Sequence, residues 1–128
     1  MNLFTHLLKK GAYMKKILST LFVIAVTCSI ASAKEEFSTV CANHILVPNE
    51  MDAIKLKSQI KDFSDFQYYA RMYSTCPSGR NGGDLGCFGR RQMVKPFEEA
   101  AFNGKIGEVS EPVKTEYGYH LLWVTKKY

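Results

Sequence analysis

Residues 74–97 read Ser-Thr-Cys-Pro-Ser-Gly-Arg-Asn-Gly-Gly-Asp-Leu-Gly-Cys-Phe-Gly-Arg-Arg-Gln-Met-Val-Lys-Pro-Phe. Five glycines, Gly79, Gly82, Gly83, Gly86 and Gly89, fall within eleven of these residues, and in a helix each would cost about 1 kcal/mol relative to alanine. The segment is therefore expected to be a shaped loop. It also carries Cys76 and three large apolar side chains, Leu85, Phe88 and Met93, with Phe97 at its end. That is more apolar surface than a solvated linker tolerates. Two arrangements would cover it: core packing beneath a long loop, or one wall of a binding groove.

On the N-terminal side of this loop, Val40 to Val47 reads as a strand ending at Pro48, with Ile45, Leu46 and Val47 continuous enough to be buried. Pro48-Asn49-Glu50 makes a turn. From Glu50, the residues Met51, Ile54, Leu56 and Ile60 mark the apolar face of an amphipathic helix. Asp62 or Ser64 can cap a second helix, in which Phe66, Tyr69 and Ala70 share one side and Tyr73 extends it. On the C-terminal side, Lys95 to Phe102 reads as a third helix with Pro96 in its first turn, stopped by Asn103-Gly104. Residues 107–113 form a turn and a short strand of the edge type that Pro112 favours, and Tyr119 to Val124 is the last strand. Strand, helices, strands in this order give an α+β domain, with helices on a small antiparallel sheet.

The chain has 128 residues, room for one domain. Its net charge of +5 and pI near 9.0 do not indicate a nucleic-acid partner. From Lys34 onward there are 13 Lys and Arg against 12 Asp and Glu, a net of +1, which leaves no basic footprint. The excess sits at Lys9, Lys10, Lys15 and Lys16. Met14-Lys15-Lys16, the apolar run Ile17 to Ile30 and then Ala31-Ser32-Ala33 have the three parts of a secretory signal. The expected organisation is a signal peptide over 1–33, starting at Met14 and cut after Ala33, followed by one domain over 34–128. The apolar run is 14 residues, short of the roughly 20 that span a bilayer, so no stable membrane span is expected in the mature form; an uncleaved anchor is the alternative. Cys28 is poorly placed for lipid attachment, because the small residue wanted beside an acylated cysteine is absent. Export, periplasmic or extracellular, favours oxidised thiols. The mature chain holds Cys41, Cys76 and Cys87, so at most one intramolecular bridge forms and one thiol is left over. No Cys-x-x-Cys is present, and no metal or cofactor is expected.

The motif Thr-Cys-Pro-Ser-Gly…Gly-Gly-Asp-Leu-Gly-x-Phe-Gly-Arg…Gln-Met-Val-x-Pro-Phe-Glu, with Asn-His-Ile-Leu-Val at 43–47 and Thr-Glu-Tyr-Gly-Tyr-His-Leu-Leu at 115–122, closely resembles the parvulin family of peptidyl-prolyl cis/trans isomerases. The blocks occur in the family's order. The resemblance implies an FKBP-like fold with a four-stranded antiparallel sheet and four helices, the fourth strand falling near Gly86 to Arg90 or a turn near Asn103. It also implies a proline cup of Leu85, Met93 and Phe97 with Phe88 nearby, and two histidines, His44 and His120, lying together beneath Cys76 and linked through Thr115. Tyr117 and Cys87 stand where the family varies, and Tyr117 is expected to touch substrate.

Rotation about an Xaa-Pro bond makes and breaks no covalent bond. It must overcome a barrier of about 18–20 kcal/mol from amide resonance. An apolar cup and a few polar groups that favour the twisted amide suffice. The resemblance implies this non-covalent isomerase activity on unfolded or exported prolyl polypeptides, by a monomer. The segment Val47-Pro48-Asn49-Glu50-Met51-Asp52 is short and acidic, without the arginine cluster a phosphate would need, so no phosphate requirement is expected. Two rival classes are an export chaperone that holds unfolded chains without catalysis, and a Cys/His hydrolase with Cys76 as nucleophile and His120 as base.

Overall fold

The computed structural model describes residues 36–128; the expected signal segment and its cleavage site lie outside the described residues. The sheet is built on β1 (Thr39–Val47), nearly all of which is buried. It lies between β2 (Asp84–Gly89) and β4 (Gly118–Lys127), with β3 (Val113–Thr115) beyond β4, so the strand order is β2-β1-β4-β3. The three strand pairs of this sheet are antiparallel. Successive strand residues point to opposite faces. Val40, Ala42, His44 and Leu46 therefore share one face of β1, and Cys41, Asn43, Ile45 and Val47 the other.

Both faces are covered, which is why β1 reads as a continuous apolar run. α1 (Glu50–Gln59) and α2 (Phe63–Tyr73) pack on one side, where Ala53, Leu56, Ile60, Phe66 and Ala70 meet Ile45, Val47, Leu121 and Trp123. α3 (Lys95–Asn103) packs on the other, where Phe97, Ala101 and Phe102 meet Val40, Ala42, Phe88, Leu122 and Val124. Asp62 caps α2 as expected: its side chain accepts from the Asp65 N–H at 2.8 Å. Pro112 precedes β3, an edge strand.

The apolar face expected of α1 is corrected. Met51 and Ile54 are exposed, at 73% and 45%, and the buried stripe is Ala53, Leu56 and Ile60. The stripe follows the three-and-four spacing from Ala53, whereas Met51 and Ile54 stand roughly 200° and 100° around the helix from it. Tyr73 is likewise exposed, at 55%, rather than extending the buried side of α2.

The glycine-rich segment is only partly a loop. After Cys76 it makes a 3-10 helix (Pro77–Asn81) and then forms β2, the strand position that the resemblance implied. Among the described residues, the helices are three α-helices and this 3-10 turn rather than four α-helices. Cys41 and Cys87, directly opposite each other across β1 and β2, are joined in a disulfide. Among the described residues, Cys76 is the free thiol.

Candidate active site

His44 and His120 come together through register. Leu46 pairs with His120 and His44 with Leu122, which makes the two histidines diagonal neighbours on the face that α3 covers. Both are buried, each 5% exposed. Their Nδ1 atoms are 3.0 Å apart, and the rings stack with centroids at 5.3 Å and planes 18° apart. His44 Nε2 lies 2.9 Å from the Ser78 hydroxyl, and His120 Nε2 lies 2.7 Å from the Thr115 hydroxyl, which accepts from the Tyr117 N–H at 3.2 Å.

All four ring nitrogens are thus engaged, and only one proton can sit between the Nδ1 atoms. One consistent arrangement runs in a single direction. Tyr117 N–H donates to Thr115, the Thr115 hydroxyl to His120 Nε2, His120 Nδ1–H to His44, and His44 Nε2–H to Ser78. The rings are neutral. Burial lowers the pKa of His44 from 6.5 to about 4, helped by the neighbouring His120, and burial lowers that of His120 as well.

Phe97 links this pair to an open hollow. Its ring meets both imidazoles edge-on, with centroids 5.7 Å from His44 and 5.2 Å from His120. The hollow, about 470 Å³, is lined by Leu85, Met93 and Phe97 together with Leu46, Thr75, Cys76, Pro77 and Tyr117, both imidazoles, Gln92 and Val94. Gly83 makes the close approach possible. Its φ is +82°, its carbonyl accepts from the His44 N–H at 2.9 Å, and a Cβ there would sit 2.1 Å from the His44 carbonyl oxygen.

Eight of the nine expected site residues line the hollow or its hydrogen-bond chain. Phe88 does not. It is 3% exposed and lies behind Phe97, ring centroids 6.0 Å apart, supporting the wall from the core. Ser78 is a member of the chain that the sequence reading missed; the available signal was Pro77, which starts a 3-10 turn and swings the next hydroxyl back towards β1. Leu46 was legible from its alternation with His44. A second hollow of about 340 Å³, bounded by Val47, Asp52, Lys55, Gln59 and Tyr73, contains no imidazole or thiol. Among the described residues, no group of three or more His, Cys, Asp and Glu converges as a metal ion requires.

The arrangement does not suit hydrolysis by Cys76. A nucleophilic thiol needs an imidazole nitrogen free to take its proton, and here each one is held by the other ring or by a hydroxyl.

The family model described as rotamase, PPIC-type PPIase domain, matches residues 46–126. The chain belongs to the PPIC-type rotamase family, the parvulins. This parvulin is 54% identical over 87 residues to the foldase protein PrsA of Geobacillus kaustophilus, a match covering 67% of this chain and 31% of that protein. The parvulin domain also resembles the solved structure of Pin from the psychrophilic archaeon Cenarcheaum symbiosum, with a TM-score of 0.63 and 38% identity over 75% of this chain and 100% of that one. It is similar as well to a solved structure from a pair of SurA-like chaperones of Campylobacter jejuni, one of them described as periplasmic, with a TM-score of 0.69, 33% identity, and coverage of 91% of this chain and 52% of that one. The chain spans about a third of the length of the PrsA foldases it matches.

Proposed function

We propose that this parvulin accelerates cis/trans isomerisation of Xaa-Pro bonds in unfolded or exported polypeptides. The observation that carries the reading is the convergence of Leu85, Met93 and Phe97 on one hollow with two neutral, hydrogen-bonded imidazoles. A pyrrolidine ring fits an apolar cup of a flexible thioether, a branched side chain and an aromatic ring. Once seated, its amide is shielded from water, which otherwise stabilises the planar carbonyl.

The imidazoles do not act as acids in this scheme. With a pKa of about 4, His44 carries a proton in only about one molecule in a thousand at pH 7. The pair instead fixes the floor of the site, and the chain from Thr115 to Ser78 holds both rings in one tautomeric state. Cys76, which lines the same hollow, serves as a polarisable group beside the substrate carbonyl. Tyr117, 66% exposed at the mouth, contacts the residues flanking proline.

Among the described residues, no Arg or Lys lines the hollow, which supports plain rather than phosphorylated substrates. The Cys41–Cys87 disulfide supports an oxidising compartment, in keeping with a signal peptide over 1–33 that starts at Met14.

A protease-coupled assay with a prolyl peptide tests the reading. Faster cis-to-trans conversion supports it; binding without acceleration would assign the chain to the holding chaperones. A phosphoserine-proline peptide turned over better than its unmodified counterpart would contradict the assigned substrate class.

A further inference from the structure

β2 changes face part-way along its length. Phe88 is buried on the α3 side of the sheet and Leu85 packs against the same cluster, although residues three apart on a regular strand point to opposite faces. An extra residue resolves this. Cys41 pairs with Cys87 and Asn43 with Asp84, which leaves both Leu85 and Gly86 opposite Ala42. Gly86, with φ +67°, takes up the excess as a β-bulge with glycine in the left-handed region. Leu85 reaches the hollow because of that bulge, and a slip of one residue in the pairing would turn it away.

The bulge is held at both ends. On one side is the Cys41–Cys87 disulfide. On the other, the buried Asn43 side chain donates from Nδ2 to the Gly82 carbonyl at 3.0 Å, beside the bond from His44 N–H to Gly83. Among the described residues β2 is an edge strand, with β1 as the one neighbour that fixes its register. Cys41 points away from α3, so the sulfurs lie on the face opposite the hollow and act on it only through β2.

We propose that the Cys41–Cys87 disulfide and the Asn43 amide form a clamp on this bulge that positions Leu85 in the wall of the prolyl cup. Cys41, Cys87 and Asn43 are then positioning residues for substrate binding. The inference rests on the hollow being the prolyl site.

The test measures the Kd of a prolyl peptide for the full chain in three forms: oxidised, reduced with a phosphine, and Asn43→Ser with the disulfide intact. In the reduction, the phosphine supplies two electrons, the S–S bond breaks, both sulfurs take protons from water and the phosphine leaves as its oxide; Cys76 is already a thiol. Each form is measured with Leu85 and with Leu85→Ala. Reduction and Asn43→Ser are each expected to raise Kd about three- to tenfold in the Leu85 background and less than about twofold in the Leu85→Ala background, the signature of coupling between neighbours. The imidazole nitrogen resonances of His44 and His120 should stay in place. If the reduced chain loses its near-UV circular dichroism, the Asn43→Ser arm decides alone. An unchanged Kd, or an equal rise in both backgrounds, overturns the clamp. Leu85→Ala binding as tightly as the parent would instead overturn the assignment of the hollow.

Discussion

His44 and His120 meet nitrogen to nitrogen, Nδ1 to Nδ1 at 3.0 Å, a contact only a ring pair sharing one proton can make. A second proton would set two donors face to face. The pKa of His44 falls from 6.5 to about 4 on folding, through burial first and His120 second. Between those values the unfolded chain binds more protons than the folded one. The contribution to stability is complete above about pH 6.5 and is lost as pH falls towards 4. Its size is at most on the order of 3 kcal/mol. Urea midpoints measured between pH 7 and pH 4 should fall, and His44→Asn should flatten that dependence; an equally steep fall in the variant would contradict the assignment.

Ser78→Ala removes the partner of His44 Nε2 and leaves a buried ring nitrogen unpaired, at a cost of about 1–3 kcal/mol. The imidazole nitrogen resonances of both histidines should move together, because the chain is continuous from Ser78 to Thr115. Movement at His44 alone would show that the two rings are not tautomerically linked.

Gly83 and Gly86 both have positive φ, but only Gly83 lacks space: a Cβ there would meet the His44 carbonyl oxygen at 2.1 Å, whereas none of the surrounding atoms lies within 4 Å of one at Gly86. Gly86→Ala should cost roughly 1–2 kcal/mol, the strain of the left-handed region. Gly83→Ala should cost clearly more and disturb His44, read from thermal unfolding and histidine resonances. Equal losses would mean that the Gly83 contact with β1 is unimportant.

Phe97 is 3% exposed and touches both imidazoles as well as Phe88. Phe97→Ala should therefore lower both activity and stability, the latter by about 3–5 kcal/mol. Thermal melts and turnover measured together check this; lost turnover with an unchanged melt would place the ring outside the core.

The parts of this fold that were legible in the sequence are those fixed locally. β1 and β4 show as apolar runs because both faces of the sheet are covered, and α2 starts where Asp62 can cap it. The large apolar side chains of the glycine-rich segment leave core packing and a groove wall both open, and it is the family resemblance that implies a cup of Leu85, Met93 and Phe97. What stayed hidden depends on distant partners. Five glycines obscured β2, which exists because β1 pairs with it. The resemblance sets Phe88 near the cup, and its place behind Phe97 follows from the bulge at Gly86, which strand alternation alone does not reveal. The stripe of α1 begins at Ala53, a residue too small to outweigh Met51 and Ile54 by hydropathy. Ser78 meets His44 across a separation of 34 residues, so Pro77 signals the turn locally but not the distant partner that the turn reaches.

Met93 is half-buried, lines the hollow and packs on the rim of the α3 core without a hydrogen bond to the imidazole chain, so Met93→Ala should alter the grip on proline at a smaller cost to folding than Phe97→Ala. Exchange spectroscopy of a prolyl peptide, with the wild-type chain and with this variant, therefore measures catalysis by the cup most directly. The wild-type chain should accelerate exchange, and Met93→Ala should lower kcat/KM about tenfold or more, a loss of roughly 1.4 kcal/mol, while its melting curve stays close to that of the parent. Undiminished exchange in Met93→Ala would contradict the account.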